Sequence, residues 1–507
     1  MPTIDQALNV EHLCLVCSHV TNIREKLALR LVSRGFADAV DQSASWAHVR
    51  QISLAFGGWK FRARLRLNGR AWRTFPGVGR NEKLVESLRQ LLQRCTQLRQ
   101  LLLTDGHSSF ARASYFTVDC FDRVLGAFVE ATNQNALKQL EMMKLAATLR
   151  PNGDNGHLLA DVLRRLTLRK RAQRCELRLS LKLPHNAATC VHNVVPVLTA
   201  LQSIISQEIS LTELNLQSVF IRGDFTSSIE SVLRAAHHLR TLTMTFVAAT
   251  SHVTDASDHS NDATPADLNG RDGNDFAAQF QCLLSSAATT NLEMLELCHK
   301  RNSNNDWDNA DMRCSWCLSL SRFLAETAPL SLFANLRRLI LTDFQPPIAT
   351  SEQARDILLI CAERLPNVEQ LELTDTRDDG QFMKLPLTFL MPAVRAWLRN
   401  LHARAVRSHS SELPPADSEH PQQHTTRATS RPPVKVELNV ETLMVQDARL
   451  VRAHFDSSEQ MRGAQIDVHT VAGTNCFWLD VLVGDARSGV HDTTLLVHVV
   501  IGNCDES

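Results

Sequence analysis

LTELNL (211–216) and LRTLTM (239–244) set apolar residues at the first, fourth and sixth positions, and this spacing returns along most of the 507-residue chain. Close copies are LRQLLL (98–103), LKQLEM (137–142), LEMLEL (292–297), LRRLIL (336–341) and VEQLEL (368–373), with CELRLSLKL (175–183) a looser one. Residues two apart on a strand share a face, so the last two apolar positions of each copy, such as Leu214 and Leu216, point into one core while their neighbours face water. Each copy therefore predicts a half-buried strand. Between the copies, stretches 81–95, 120–132, 193–205, 227–236, 275–287, 314–327, 352–365 and 387–401 carry apolar residues at spacings of three and four, as in Leu84, Leu88, Leu91 and Leu92. That is the amphipathic helix period. Strand and helix alternate, and neither buries its apolar face alone, whereas stacked units bury a continuous slab of leucine.

The pattern resembles the leucine-rich repeat family, and its strand–helix content resembles the ribonuclease-inhibitor type. The resemblance covers roughly residues 50–445. Start-to-start spacings run from 28 (211 to 239) to 53 (239 to 292), so the repeats carry insertions. The asparagine or cysteine usual three residues after the last apolar position is missing, where Gly106, Leu145, Val219, Val247, Lys300, Phe344 and Thr376 stand instead. The expected fold is α/β: a short N-terminal helical module over 5–50, then an irregular solenoid of strand–helix repeats over 51–405. Residues 250–275 are rich in Asp, Ser, Asn and Gly, and 406–433 add proline; both are too poor in large apolar side chains to offset chain ordering, which predicts a loop and a linker. VKVELNV (434–440), CFWLDVLVG (476–484) and TTLLVHVVIG (493–502) predict a strand-rich cap over 434–507. The solenoid register puts Gln139, Glu141, Glu213, Asn215, Thr241, Thr243, Met294, Glu296, Arg338, Ile340, Gln370 and Glu372 on one concave face, the expected surface for a protein target.

Ahead of the repeats, Leu8, Glu11, Leu13, Val16 and Val20 sit at helical spacing, and LALRLVSRGFADAV (27–40) forms a second apolar stretch followed by Trp46. Helices this few need a partner surface. The segment resembles the F-box: Leu8, Glu11, Leu13, Val16, Val20, Leu27, Arg30, Leu31, Val32, Ser33, Phe36 and Trp46 fall on matching positions, while Asn9 and His12 stand where the family has proline and leucine. The resemblance implies that Leu8, Glu11, Leu13, Val16, Val20, Leu27, Leu31, Val32, Phe36 and Trp46 contact the Skp-type adaptor of a cullin–RING ubiquitin ligase, with the repeats holding an unknown protein substrate. The alternative is a leucine-rich scaffold without a ligase link, its N-terminal helices capping the repeats. Arg24, Lys26, Arg30 and Arg34 read as the solvated side of those helices.

The 54 basic and 54 acidic residues cancel, which removes any whole-chain electrostatic argument for nucleic acid or anionic membrane. No basic leader precedes an apolar core at the start of the sequence and no run is long enough to span a bilayer, which predicts a soluble protein of the cytosol or nucleus. The odd count of 13 cysteines fits thiols packed as small apolar groups, and Cys14 with Cys17 and Cys314 with Cys317 lack the second pair that a zinc site needs. FRARLRL (61–67) predicts a strand with one cationic face, read as an edge kept from aggregating by charge, with contact to an acidic partner or an RNA backbone as the alternative. No phosphate-cradling glycine loop, nucleophile elbow or His-Glu-x-x-His helix appears, so neither catalysis nor a cofactor is expected.

Overall fold

The computed structural model describes residues 10–20, 23–42, 46–57, 62–75, 82–106, 123–128, 130, 139–149, 155–167, 175–183, 187–205, 209–219, 223–247, 278–287, 291–300, 323, 333–342, 360–361, 364–365, 367–368, 370–374, 434–440, 464–470, 477–483 and 495–501. The expected loop 250–275 and linker 406–433 lie outside them, as do Cys314 and Cys317 and the helix expected over 387–401. The chain is α/β, built on mostly parallel sheet, and it divides into two compact units, Met1–Thr241 and Leu242–Ser507. The division falls inside 51–405, and the N-terminal helices share a unit with the first seven strands.

In the first unit the strands are β1 (Gln51–Gly57), β2 (Arg62–Leu67), β3 (Arg70–Phe75), β4 (Gln100–Gly106), β5 (Met142–Thr148), β6 (Cys175–Lys182) and β7 (Ile209–Val219). Their order is β3-β2-β1-β4-β5-β6-β7, parallel from β1 through β7 and antiparallel across β1, β2 and β3. Leu54, Leu103, Leu145, Leu179 and Leu214 pair in one row, and Ile52, Leu101, Met143, Leu177 and Leu211 in the next. All ten are buried. At about 1.5–3 kcal/mol for each large apolar side chain taken from water, these two rows are the main adhesive of the sheet.

Two strand assignments depart from the sequence reading. VRQISL (49–54) is a further copy of the pattern, with Val and Ile in the leucine positions, and supplies β1. LKQLEM (137–142) is set three residues early: Leu140 closes the turn before β5, and Met143 and Leu145 take the inward positions. Elsewhere the first leucine of a copy precedes its strand, as Leu98 does, whereas Leu211 and Leu214 both lie within β7. Three residues apart on a strand would point them to opposite faces, so β7 carries one extra residue, Thr212, opposite β6 and both stay inward.

Helices α1 (Val10–His19), α2 (Ile23–Leu29) and α3 (Arg34–Asp41) precede the strands, followed by α4 (Glu82–Arg94), α5 (Asn155–Thr167), α6 (Ala187–Ile205) and α7 (Gly223–Ala235). Helix α4 buries Leu84, Leu88, Leu91 and Leu92 as expected. Helix α5 lies outside the stretches expected to be helical, although Leu159, Val162 and Leu163 hold the helical spacing and are buried. Gly156 lets α5 lie close to α6, since a Cβ there would overlap the Asn193 carbonyl. The β2–β3 connection is the two-residue turn Asn68-Gly69, both at positive φ (47° and 76°). An Asn-Gly pair between strands favours this hairpin turn, so the signal was present in LNGR.

LALRLVSRGFADAV is not one helix. Helix α2 ends at Leu29, residues 30–32 turn with i to i−3 amide bonds, and Ser33 caps α3 by accepting from the Phe36 amide at 3.2 Å. Ser33→Ala is expected to lower stability by about 1 kcal/mol, the usual cost of a lost N-cap, read as a shift in denaturation midpoint. An unchanged midpoint would show that this cap does not hold the α2–α3 break.

In the second unit the strands are β8 (Thr241–Val247), β9 (Met294–Lys300), β10 (Arg338–Thr342), β11 (Gln370–Thr374), β12 (Val434–Val440), β13 (Ala464–Thr470), β14 (Phe477–Val483) and β15 (Leu495–Ile501), in the order β8-β9-β10-β11-β12-β15-β14-β13. A helix α8 over 278–287 sets Phe280 edge-on against Phe246, ring centroids 5.6 Å apart. Strands β9 to β12 are parallel, with Leu295, Leu339, Leu371 and Leu438 in one row. The three C-terminal stretches expected as strands are strands β12, β14 and β15. Strand β12 continues the parallel series, and the antiparallel strands β13, β14 and β15 return the chain so that β15 lies parallel to β12.

Candidate functional site

The N-terminal helices show where the residues expected to meet an adaptor lie in this fold. Helix α1 buries Leu13, Cys14 and Cys17, and the Cys14 thiol donates to the Ala39 carbonyl of α3 at 3.7 Å. Helix α3 contributes Phe36, Ala39 and Val40 to the same contact, and Trp46 is locked beneath it by donating from Nε1 to the Val40 carbonyl at 2.5 Å. Asp41 pairs with Arg30 at 2.9 Å and with Arg94 of α4 at 3.2 Å, which ties the N-terminal helices to α4. Leu13, Phe36 and Trp46, expected to meet an adaptor, are therefore covered by the chain itself and act as its internal adhesive.

The other side is bare. Among the described residues, the exposed large apolar side chains are Leu15 (59%), Val16 (45%), Leu31 (89%) and Val32 (64%). Leu15 and Val16 are consecutive on α1 and point away from its buried stripe; Leu31 and Val32 occupy the α2–α3 turn instead of a helix face. Glu11 is exposed, and Val20 and Leu27 are half-buried. Leu8 lies outside the described residues. Leu15 is not among the residues expected to meet an adaptor, since its position falls between those that match the F-box pattern.

Lys26, read as solvated, is completely buried. Its Nζ stands 3.2 Å from His48 Nδ1 and 5.8 Å from the centre of the Trp46 ring. Burial pushes the ammonium down to about 8, against the opposing pull of Cys17 and Cys95. Desolvation raises the Cys17 thiol, which Lys26 partly offsets, and takes Cys95 up to about 12. Thiols held protonated in this way are poor nucleophiles and poor metal ligands. Among the described residues no group of three or more His, Cys, Asp or Glu is placed to hold a metal ion.

The open sheet face is the second candidate. Across β5, β6 and β7 its charges pair, Lys144 with Glu213 at 3.7 Å and Arg178 with Glu176 at 2.8 Å, and just ahead of β4 and β5 Arg99 pairs with Glu141 at 3.0 Å. Burial raises the Glu176 carboxyl, but hydrogen bonds from Thr212 and Arg178 outweigh that and hold it below its ordinary value. Glu213, Asn215 and Thr241 lie half-buried here. Gln139 and Glu141 do not belong to the row, because they precede β5; Met142 and Lys144 take those places. In the second unit Thr243 donates to Glu296 at 3.1 Å, and Met294, Arg338 and Gln370 are half-buried. Ile340 pairs with Glu296 and Glu372 in register but is only 7% exposed, so it offers little surface.

No protein-family model matches the chain, and no curated protein is significantly similar to it. Among the described residues no helix is long and apolar enough to cross a membrane.

Proposed function

We propose that the chain is a non-catalytic substrate-recognition adaptor of an SCF-type ubiquitin ligase, its N-terminal helices docking on the Skp-type adaptor and cullin and its repeats forming a leucine-rich solenoid that holds a protein target in the cytosol or nucleus. One observation carries this reading: among the described residues the four exposed large apolar side chains all fall within residues 15–32, the segment that resembles the F-box. Monomers rarely leave such groups bare without a partner. A leucine-rich scaffold without a ligase role is the second reading. It is favoured by the burial of Leu13, Phe36 and Trp46 within the chain and by the Arg94–Asp41 bond, which suit a helical cap on the first repeat.

The full chain isolated from cells is expected to bring the Skp-type adaptor and cullin with it, and Leu31→Asp with Val32→Asp is expected to lose both while retaining target proteins. Co-isolation that ignores the double substitution would leave the scaffold reading.

A further inference from the structure

Between Asp41 and Glu82 the chain has eight Arg or Lys residues and no Asp or Glu, although the two signs balance over the whole sequence. Seven of the eight are arginine, whose planar fork suits phosphate oxygens. The structure gathers much of this charge on β2 and β3. Arg64 and Arg66 are exposed on the side of β2 opposite the buried Ala63, Leu65 and Leu67, and Arg62 holds the next position of the same row. Alternate residues on a strand lie about 6.7 Å apart, so the row is a regular line of charge.

Protection of a sheet edge does not account for it. Strand β2 is hydrogen-bonded on both sides, to β1 and to β3, and it is β3 that ends the sheet. Self-neutralisation does not account for it either. Cations on β5 and β6 of the same sheet, Lys144 and Arg178, have carboxylate partners, whereas Arg64 and Arg66 have none among the described residues, and their neighbours across β1 are Ala55 and Ser53. Beside them β3 carries Trp72, half-exposed. The register shift between Leu65 and Arg66 puts Ala71 opposite Arg66 and Thr74 opposite Arg64, and leaves Trp72 as the extra residue of the irregularity, between the two positions that face the arginines.

We infer that the open face of β1, β2 and β3 binds a single-stranded nucleic acid, with Arg64 and Arg66 on successive phosphates and Trp72 stacking on an unpaired base. A cationic row that tracks a backbone, next to an indole face, suits a strand whose bases are free. An extended acidic peptide would meet the charge but leave the indole without a planar partner. The inference is independent of the ligase reading.

The test is fluorescence anisotropy of the full chain with a short labelled oligouridylate over a range of salt. Wild type is expected to bind at low salt and weaken as salt rises. Arg64→Gln with Arg66→Gln should lose at least about tenfold in affinity and reduce the log–log salt slope by about 1.4, at about 0.7 for each phosphate contact on a single strand. Trp72→Ala should lose about fivefold or more with the slope unchanged, since stacking releases no counterions. Arg64→Lys with Arg66→Lys should keep the wild-type slope, which separates loss of charge from loss of fold, and Arg234→Gln on α7 should change nothing. Absence of binding at low salt, or equal binding by the glutamine variant, would overturn the inference. So would a polyglutamate peptide that binds more tightly than the oligonucleotide and shares its dependence on Arg64 and Arg66.

Discussion

Leu179→Ala should remove about 3–4 kcal/mol of unfolding free energy, within the range for a leucine truncated in a close-packed core. Leu179 is 1% exposed on β6, with Leu145 on one side and Leu214 on the other, and Leu177 and Leu181 share its buried face. A cavity there is bounded by paired strands that cannot close on it without breaking backbone hydrogen bonds. Ser180→Ala, one residue on and facing the other way, should change stability by less than about 0.5 kcal/mol. Chemical denaturation of the two variants checks the pair. Similar losses from both would mean that the inward and outward faces of β6 are misassigned.

Lys26 gives the second large effect, through pH. A fall from 10.5 to about 8 corresponds to about 3 kcal/mol of cost for burying the charged form. Below pH 8 both native and unfolded chains hold the proton and the full cost is present. Between about 8 and 10.5 the native chain has released a proton that the unfolded chain keeps, so stability rises with pH. Above 10.5 the cost is gone. Lys26→Met removes the charge at similar volume, so wild type should gain about 3 kcal/mol relative to the variant across that window. Cys17 and Cys95, with thiols raised by burial, face Lys26 beside His48 in the wild type and remain in the variant, so most of the two thiols' own titration cancels in the comparison. Stability curves that stay parallel from pH 8 to 10.5 would place the Lys26 ammonium in water.

Strand positions were the legible part of this chain, because a period of two with leucine inward is written directly in the residues. Five of the seven close copies start their strands where the spacing sets them, and Leu84, Leu88, Leu91 and Leu92 marked α4. What failed was what spacing cannot fix. LEMMKL (140–145) carries two adjacent methionines, so LKQLEM and LEMMKL fit the template equally well, and only pairing with β4 chooses the second. LALRLVSRGFADAV reads as one apolar helix until Ser33 takes the capping role, which turns Leu31 and Val32 outward. Lys26 carried no local signal of burial, since its surroundings come from Trp46, His48 and Cys95, far along the chain. Arg64 and Arg66 were correctly read as one face of a strand, but the place of that strand in the sheet depends on β3, which the Asn68-Gly69 turn brings beside it.

The most direct measurement is a titration of purified Skp-type adaptor onto the full chain, comparing wild type with the Leu31→Asp, Val32→Asp variant. Each side chain buried in such an interface contributes about 1.5–3 kcal/mol, and about 1.4 kcal/mol is a factor of ten, so the variant should bind at least about a hundredfold more weakly. Its thermal transition should match that of wild type, because Leu31 and Val32 touch water already. Saturable micromolar binding by wild type, lost in a folded variant, is the result the account predicts; equal binding by both, or no binding of either at micromolar concentration, would contradict it.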